Sequence, residues 1–372
     1  MSVLLPRAAR RLLAPLAPLV LASAALAQPA FEAPDAGPDA APYTCTFHWF
    51  RTADGRIVGM DVIRSGDTGR LGLRLFLADA KGGLRALIHE APAGEWEPFA
   101  TATPPRLDGP GNALGRGRGW IAGRVEASGE SAIRRAAFHL EVTPVTLGCP
   151  AGDFGLDFVQ LSALDFPRVR TRGRLVIDDE ELAIDAEGPC SIHYGRALPD
   201  YAYLATVPVP GAPRGPGLLL ASTRGDNLRK GSQLAGSRAF TYAHFLDLPG
   251  DLPHLKFVSL RELAPTRAPA QARYHFPVLG VPAFGKTVRV TRVLSRVEHT
   301  LLGRPTTTYL AEVELSVPRL WPPLVRERHR VLAIGDVRGE VYQAHLGLGS
   351  TTTATSPTES PAPGLVQGVE EE

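Results

Sequence analysis

From residue 43 to residue 348 the chain is written in short apolar runs separated by turn formers. "YTCTFHWF", "RIVGMDVI", "LGLRLFLA", "GWIAGRVEA", "AAFHLEVTPV", "LDFVQLSAL" and "RGRLVID" come first. Several alternate apolar and polar residues at period two, which predicts strands with one buried face. Ala53-Asp54-Gly55, Ser65-Gly66-Asp67 and Ile177-Asp178-Asp179 mark turns between them. The second half continues with "YAYLATVPV", "GLLLAST", "FTYAHFL", "KTVRVTRVLSRVEHTLL", "TTTYLAEVELSV" and "EVYQAHLGL". No segment of a dozen residues keeps a helical period, and Leu228–Gly236 is the nearest approach. The expected fold is therefore all-β and mainly antiparallel, without exact repeats.

The two ends read differently. Arg7, Arg10 and Arg11 precede an apolar run, Leu12 to Leu26, that closes on Ala25-Leu26-Ala27, the form of a signal peptide cut after Ala27. The run is too short to span a bilayer, so a mature, exported chain without a transmembrane segment is expected, periplasmic or extracellular. Residues 28–42 are Pro, Ala and Asp with little to bury, and residues 349–372 are Thr, Ser and Pro followed by acids; both read as disordered. Prolines near 199 and from 208 to 213 suggest a boundary, giving an N-terminal β domain over 43–199 and a C-terminal one over 200–348.

Charge changes the picture little. Without residues 1–27 the chain has 37 basic and 38 acidic residues, and the basic ones are scattered, which argues against a nucleic-acid partner. Three cysteines in an exported chain allow one disulfide. Of the three pairings, Cys45 with Cys149 is preferred, because both adjoin loop residues while Cys190 sits beside a histidine motif.

That motif is "GPCSIHYGRALPDYAYLATVPVP", residues 188–210. It follows a hairpin pattern in which Arg174–Ile177 and Leu182–Asp185 alternate around an acidic turn. Gly173, Leu175, Ile177, Asp178, Ile184, Gly188, His193 and Gly195, with the aromatic strand Phe47–Phe50, resemble the middle and the early strand of the lipocalin-like two-barrel superfamily. This superfamily includes carotenoid hydratase and hydroxyneurosporene synthase proteins, AttH-type secreted proteins, fungal pericyclase-like members and survival-factor proteins. The resemblance implies two lipocalin-like barrels or half-barrels packed together, with residues 188–200 near their junction. Enzymatic relatives carry an Asp-His pair and a tryptophan at this point. Here Ile192 precedes His193 and Tyr194 precedes Gly195, which is closer to the survival-factor type, where lipid binding is the implied role.

Two kinds of function follow. As a binding protein, the chain would hold an apolar lipid or isoprenoid in a barrel, with Tyr201 and Tyr203 on one face of a strand and His48 or Trp49, on opposite faces, lining the wall. As an enzyme, it would use His193 and Tyr194, with Glu187 in place of the absent Asp, as acid–base catalysts of hydration, cyclisation or isomerisation. A structural envelope protein with no ligand is the third reading. Arg224-Gly225-Asp226 spells an adhesion tripeptide but reads as a hairpin turn. There is no G-x-S-x-G, H-E-x-x-H, C-x-x-C, P-loop or dinucleotide fingerprint, and the histidines are not clustered, so no cofactor and no metal are expected.

Overall fold

The computed structural model describes residues 43–65, 68–79, 82–97, 107–117, 119–127, 131–146, 149–151, 161–195, 201–207, 217–224, 239–246, 256–260, 273–278, 281–318 and 326–339. The expected signal peptide, leader and tail, the strand expected at 340–348, Leu228–Gly236 and the Gly-Asp of the tripeptide lie outside the described residues. Among the described residues there is no α-helix, so none is long and apolar enough to cross a membrane.

Two antiparallel sheets make up the fold. The first holds β1 (Tyr43–Arg51), β2 (Ile57–Ser65), β3 (Arg70–Ala78), β4 (Leu84–Pro92), β5 (Ala113–Gly117), β6 (Trp120–Glu126), β7 (Arg135–Pro144), β8 (Cys149–Ala151), β9 (Leu161–Ile177) and β10 (Glu180–Gly195). Their order is β4-β3-β2-β1-β10-β9-β7-β6-β5, with β8 on β9. A parallel bridge from Glu97 to Ala113, and a hydrogen bond of 3.2 Å from Ile133 N–H to the Ala86 carbonyl, curl its far strands toward each other. The second sheet holds β11 (Tyr201–Thr206), β12 (Gly217–Arg224), β13 (Ala239–Leu246), β14 (Lys256–Leu260), β15 (Arg273–Val278), β16 (Val281–Leu301), β17 (Arg304–Pro318) and β18 (Arg326–Arg338), ordered β14-β13-β12-β11-β18-β17-β16-β15. In each sheet the first strand pairs with the last, β1 with β10 and β11 with β18. This is the all-β, lipocalin-like two-barrel arrangement.

Alternation sends each strand's residues to two destinations. In β1 to β4, Phe50, Val58, Met60, Leu73, Leu75 and Leu87 face the first barrel's own core. Their neighbours Phe47, Trp49, Ile57, Phe76 and Ala86 pack with Tyr201, Tyr203, Leu219, Leu310 and Ile334 of the second sheet. Ala202, Leu204, Val313 and Leu315 fill the second barrel. A strand covered on both sides needs apolar residues on both sides, which is why "LGLRLFLA" lacks clean alternation.

Local chemistry fixes the details. The hairpin between β9 and β10 turns at Asp178, with φ of 55°, and Asp178 Oδ1 accepts the N–H groups of Arg134 (2.8 Å) and Arg135 (3.1 Å). The β16–β17 turn uses Leu302 and Gly303 at φ of 45° and 73°, a two-residue loop with both centres left-handed. The ladder between β10 and β9 slips one residue between Gly188 and Cys190, opposite Pro167, which has no N–H to give. The slip changes parity in β9: Phe166 and Val169 both join the barrel core, and Asp165 is left on the opposite face.

Candidate functional site

The face shared by the two sheets carries charge at its centre. Arg74 sits in the middle of β3, wholly buried, as are Asp61 of β2 and Asp336 of β18. Arg74 Nη2 donates to Asp61 Oδ2 at 2.5 Å and to Asp336 Oδ2 at 2.9 Å; Nη1 reaches Asp336 Oδ1 at 3.3 Å and His299 Nε2 at 2.9 Å. Asp336 also accepts from the Tyr201 hydroxyl and, at 2.6 Å, from Thr308 Oγ1. Asp61 and Arg74 come from the first sheet; Asp336, Tyr201, His299 and Thr308 come from the second. Phe47 and Phe76 lie 5.9 and 5.7 Å from the guanidinium carbon and wall it in.

Two carboxyls around one guanidinium do not share its charge equally. Burial alone would raise both. Asp336 collects Arg74, His299 and two hydroxyls, which outweigh burial and hold it below the usual carboxylate range. Asp61 has Arg74 for one oxygen while Oδ1 is buried without a partner, so burial, reinforced by the Asp336 charge, pushes its pKa up. The two carboxyls titrate as a coupled pair, with Asp61 pushed toward the neutral form and Asp336 toward the ionised one. Burial and the same Asp336 charge raise the Tyr201 phenol, which stays neutral. Burial, with help from Arg74, lowers His299 to about 4; as a neutral ring accepting from Arg74 at Nε2, it carries its hydrogen on Nδ1.

A second polar chain lies on the same face. Ser191 donates to Asp165, and His193 Nε2 stands 2.9 Å from Ser191 Oγ. With the serine proton committed to Asp165, His193 is the donor in that bond. The order acid–hydroxyl–imidazole places the serine in the middle, where a hydrolytic triad needs the imidazole. His193 is 3% exposed and packs edge-on against Phe47 (5.0 Å) and Tyr203 (5.8 Å).

Of the residues expected from sequence, His193, Tyr201, Tyr203 and Trp49 meet on this junction face. Their setting is between the barrels rather than inside one. His48 points the other way, with Nε2 2.9 Å from Thr171 Oγ1. Tyr194 belongs to β10, but its side chain is outside what is described. Glu187 does not replace the absent Asp: it is held by Arg168, with Nε to Oε2 at 3.0 Å, and six residues of strand put it roughly 20 Å from His193. Asp165 takes that place, through Ser191. The Cys45–Cys149 disulfide is not formed, since Cys45 is a free, buried thiol, as is Cys190. Cys45 pairs with His193, and Cys149 with Asp165 on the far side of β9. Three strand spacings, roughly 14 Å, are more than a disulfide can bridge. Arg74, Asp61 and Asp336 carry a sequence signal that is easy to pass over: a charge in the middle of an apolar strand, as in "LGLRLFLA" and "VGMDVI"; His299, in the mixed run "RVLSRVEHTL", carries none.

No family model matches the sequence, and no curated protein matches it. Among solved structures the fold is similar to an AttH-type protein of Nitrosomonas europaea, at 13% identity and a TM-score of 0.41, over 79% of this chain and 91% of that one. It is similar to CghA in complex with Sch210972, at 11% identity and a TM-score of 0.45, over 80% and 88% of the two chains. It is similar also to kievitone hydratase from Nectria haematococca, at 10% identity and a TM-score of 0.48, over 80% and 89%.

Proposed function

We propose that this is an exported enzyme that transfers protons to and from a small unsaturated molecule at the junction of its two sheets, in a hydration, cyclisation or isomerisation. The observation that carries the reading is geometric: Asp61 and Asp336, both wholly buried, flank one guanidinium nitrogen of Arg74 at 2.5 and 2.9 Å, an environment that pushes the Asp61 pKa up and the Asp336 pKa down. Groups whose environments drive their pKa values apart are the physical mark of acid–base chemistry. In a hydration, Asp61 gives its proton to one carbon of a double bond and Arg74 stabilises the carboxylate left behind. Water then adds to the other carbon, and its surplus proton returns to Asp61. Asp336, fixed by Tyr201 and Thr308, keeps Arg74 aimed at Asp61 throughout. Phe47, Trp49, Phe76 and Tyr203 supply apolar contact surface, so an apolar ligand finds its walls here as well. The barrel interiors support binding less well, because Phe50, Phe138, Phe166 and Tyr309 already fill them. Since the centre is wholly buried, catalysis requires the junction to part.

The test is Asp61→Asn, assayed on a panel of conjugated enones and polyenes by loss of their absorbance, with a melting curve alongside. Conversion should fall by ~10²–10⁴-fold while the melting temperature holds. Full conversion by the variant would refute the reading. A lower melting temperature with conversion intact would refute it too, and would assign the centre to holding the sheets together.

A further inference from the structure

Another acid on the junction face is not drawn into the Arg74 centre. Glu90 of β4 stands opposite Gly72, and a Cβ on that glycine would come within 2.7 Å of Glu90 Cγ, so the glycine makes room for the stem. The Glu90 side chain is 9% exposed. Its Oε2 accepts the backbone N–H of Leu302 in the β16–β17 turn, at 3.2 Å. Its Oε1 is buried with no partner, where a carboxylate oxygen is ordinarily hydrogen-bonded. Glu90 lines a cleft of about 340 Å³ between the β3–β4 side of the first sheet and the β16–β17 turn of the second. Thr68, Arg70 and Thr300 give this cleft polar walls, and Ile88 and Leu302 apolar ones. Arg70 Nη2 donates to the Glu90 carbonyl at 2.8 Å, while its Nε, 3.9 Å from Oε2, is buried without a hydrogen-bond partner.

We propose that the cleft is a binding site for a neutral hydroxylated molecule, one hydroxyl donating to Glu90 Oε1 and an adjacent oxygen accepting from Arg70 Nε. A free acceptor and a free donor on neighbouring side chains match a vicinal diol or a hydroxy-ether. Charge selects against the alternatives. Arg70, Arg74 and Arg338 all act on Glu90, so an ammonium would bring a fourth cation into their field. An anion would meet the Glu90 carboxylate. Thr68 and Thr300 can bond further hydroxyls, and Ile88 and Leu302 fit a carbon skeleton. The site is independent of proton transfer at Asp61 and stands whether or not that reaction occurs.

The experiment is methyl NMR of the full chain with labelled isoleucine and leucine, following Ile88 and Leu302. cis-1,2-Cyclohexanediol should shift both signals saturably, and cyclohexylamine and cyclohexanecarboxylate should not. Glu90→Gln removes the charge from the acceptor and should weaken diol binding roughly 10-fold or more. Shifts that do not saturate, an equal response to the amine, or an unchanged affinity in Glu90→Gln would each overturn the proposal. Should that variant fail to fold, crystals of the native chain soaked in the diol decide the matter. A diol oxygen hydrogen-bonded to Glu90 Oε1 supports the site, and an empty cleft refutes it.

Discussion

The two faces of β1 to β3 are both largely dry, yet they treat charge in opposite ways. On the barrel side, burial drives the imidazole of His48 down to about 3, so it stays neutral. On the junction side, equally buried Arg74 keeps its charge, because two carboxyls and an imidazole accept its hydrogens. Depth of burial alone does not decide ionisation. The number and sign of the partners do, and the junction has partners because a second sheet brings Asp336 and His299 to it.

The sharpest way to break this comparison is Arg74→Met. Two buried acids would lose their counter-charge, at a cost of about 3–5 kcal/mol in denaturant unfolding, and further changing Asp61 and Asp336 to Leu should restore much of the loss. No recovery in the triple variant would mean that the charges do more than balance one another. On the barrel side the test is acid. The folded pKa of His48 lies below its unfolded value, so the stabilisation is complete above about pH 6.5 and is lost as pH falls toward 3. By pH 5 the loss should be about 2 kcal/mol, and His48→Gln should remove that part of the slope while leaving other groups' contributions in place. Smaller again is His193→Ala, which strips Ser191 of its imidazole and should lower stability by about 1–3 kcal/mol. An unchanged melting curve with lost conversion would instead make His193 a participant in the chemistry. Smallest is Arg168→Ala: its ion pair with Glu187 is partly open to solvent and should be worth under about 1 kcal/mol, fading in high salt.

Much of the fold could be read from the sequence because strands and turns are local events. The hairpin around Asp178 and the shared face of Tyr201 and Tyr203 follow from period two alone. What β1 to β3 face did not follow, because both sides of those strands are apolar and alternation has nothing to report. Glu187 looked close to His193 in sequence, but a strand advances ~3.3 Å per residue and carries the two apart. Asp165 reaches His193 from a neighbouring strand, and only after the irregularity at Pro167 has changed its side. Arg74 and Asp336 are 262 residues apart, a separation no spacing rule spans.

That separation also orders the birth of the molecule. β18 fills the gap between β11 and β17, so until this last described strand arrives the second sheet exists as two pieces with open edges. Arg74 meanwhile has Asp61 but not Asp336. Closing so long a loop carries a larger entropic cost than closing a hairpin, which places the meeting of β18 with β11 and Arg74 after the local pairings. An intermediate that waits for it would expose unpaired backbone and an apolar face together, the combination that invites aggregation. The same strand that completes the charged centre thus decides when the chain becomes safe from its neighbours.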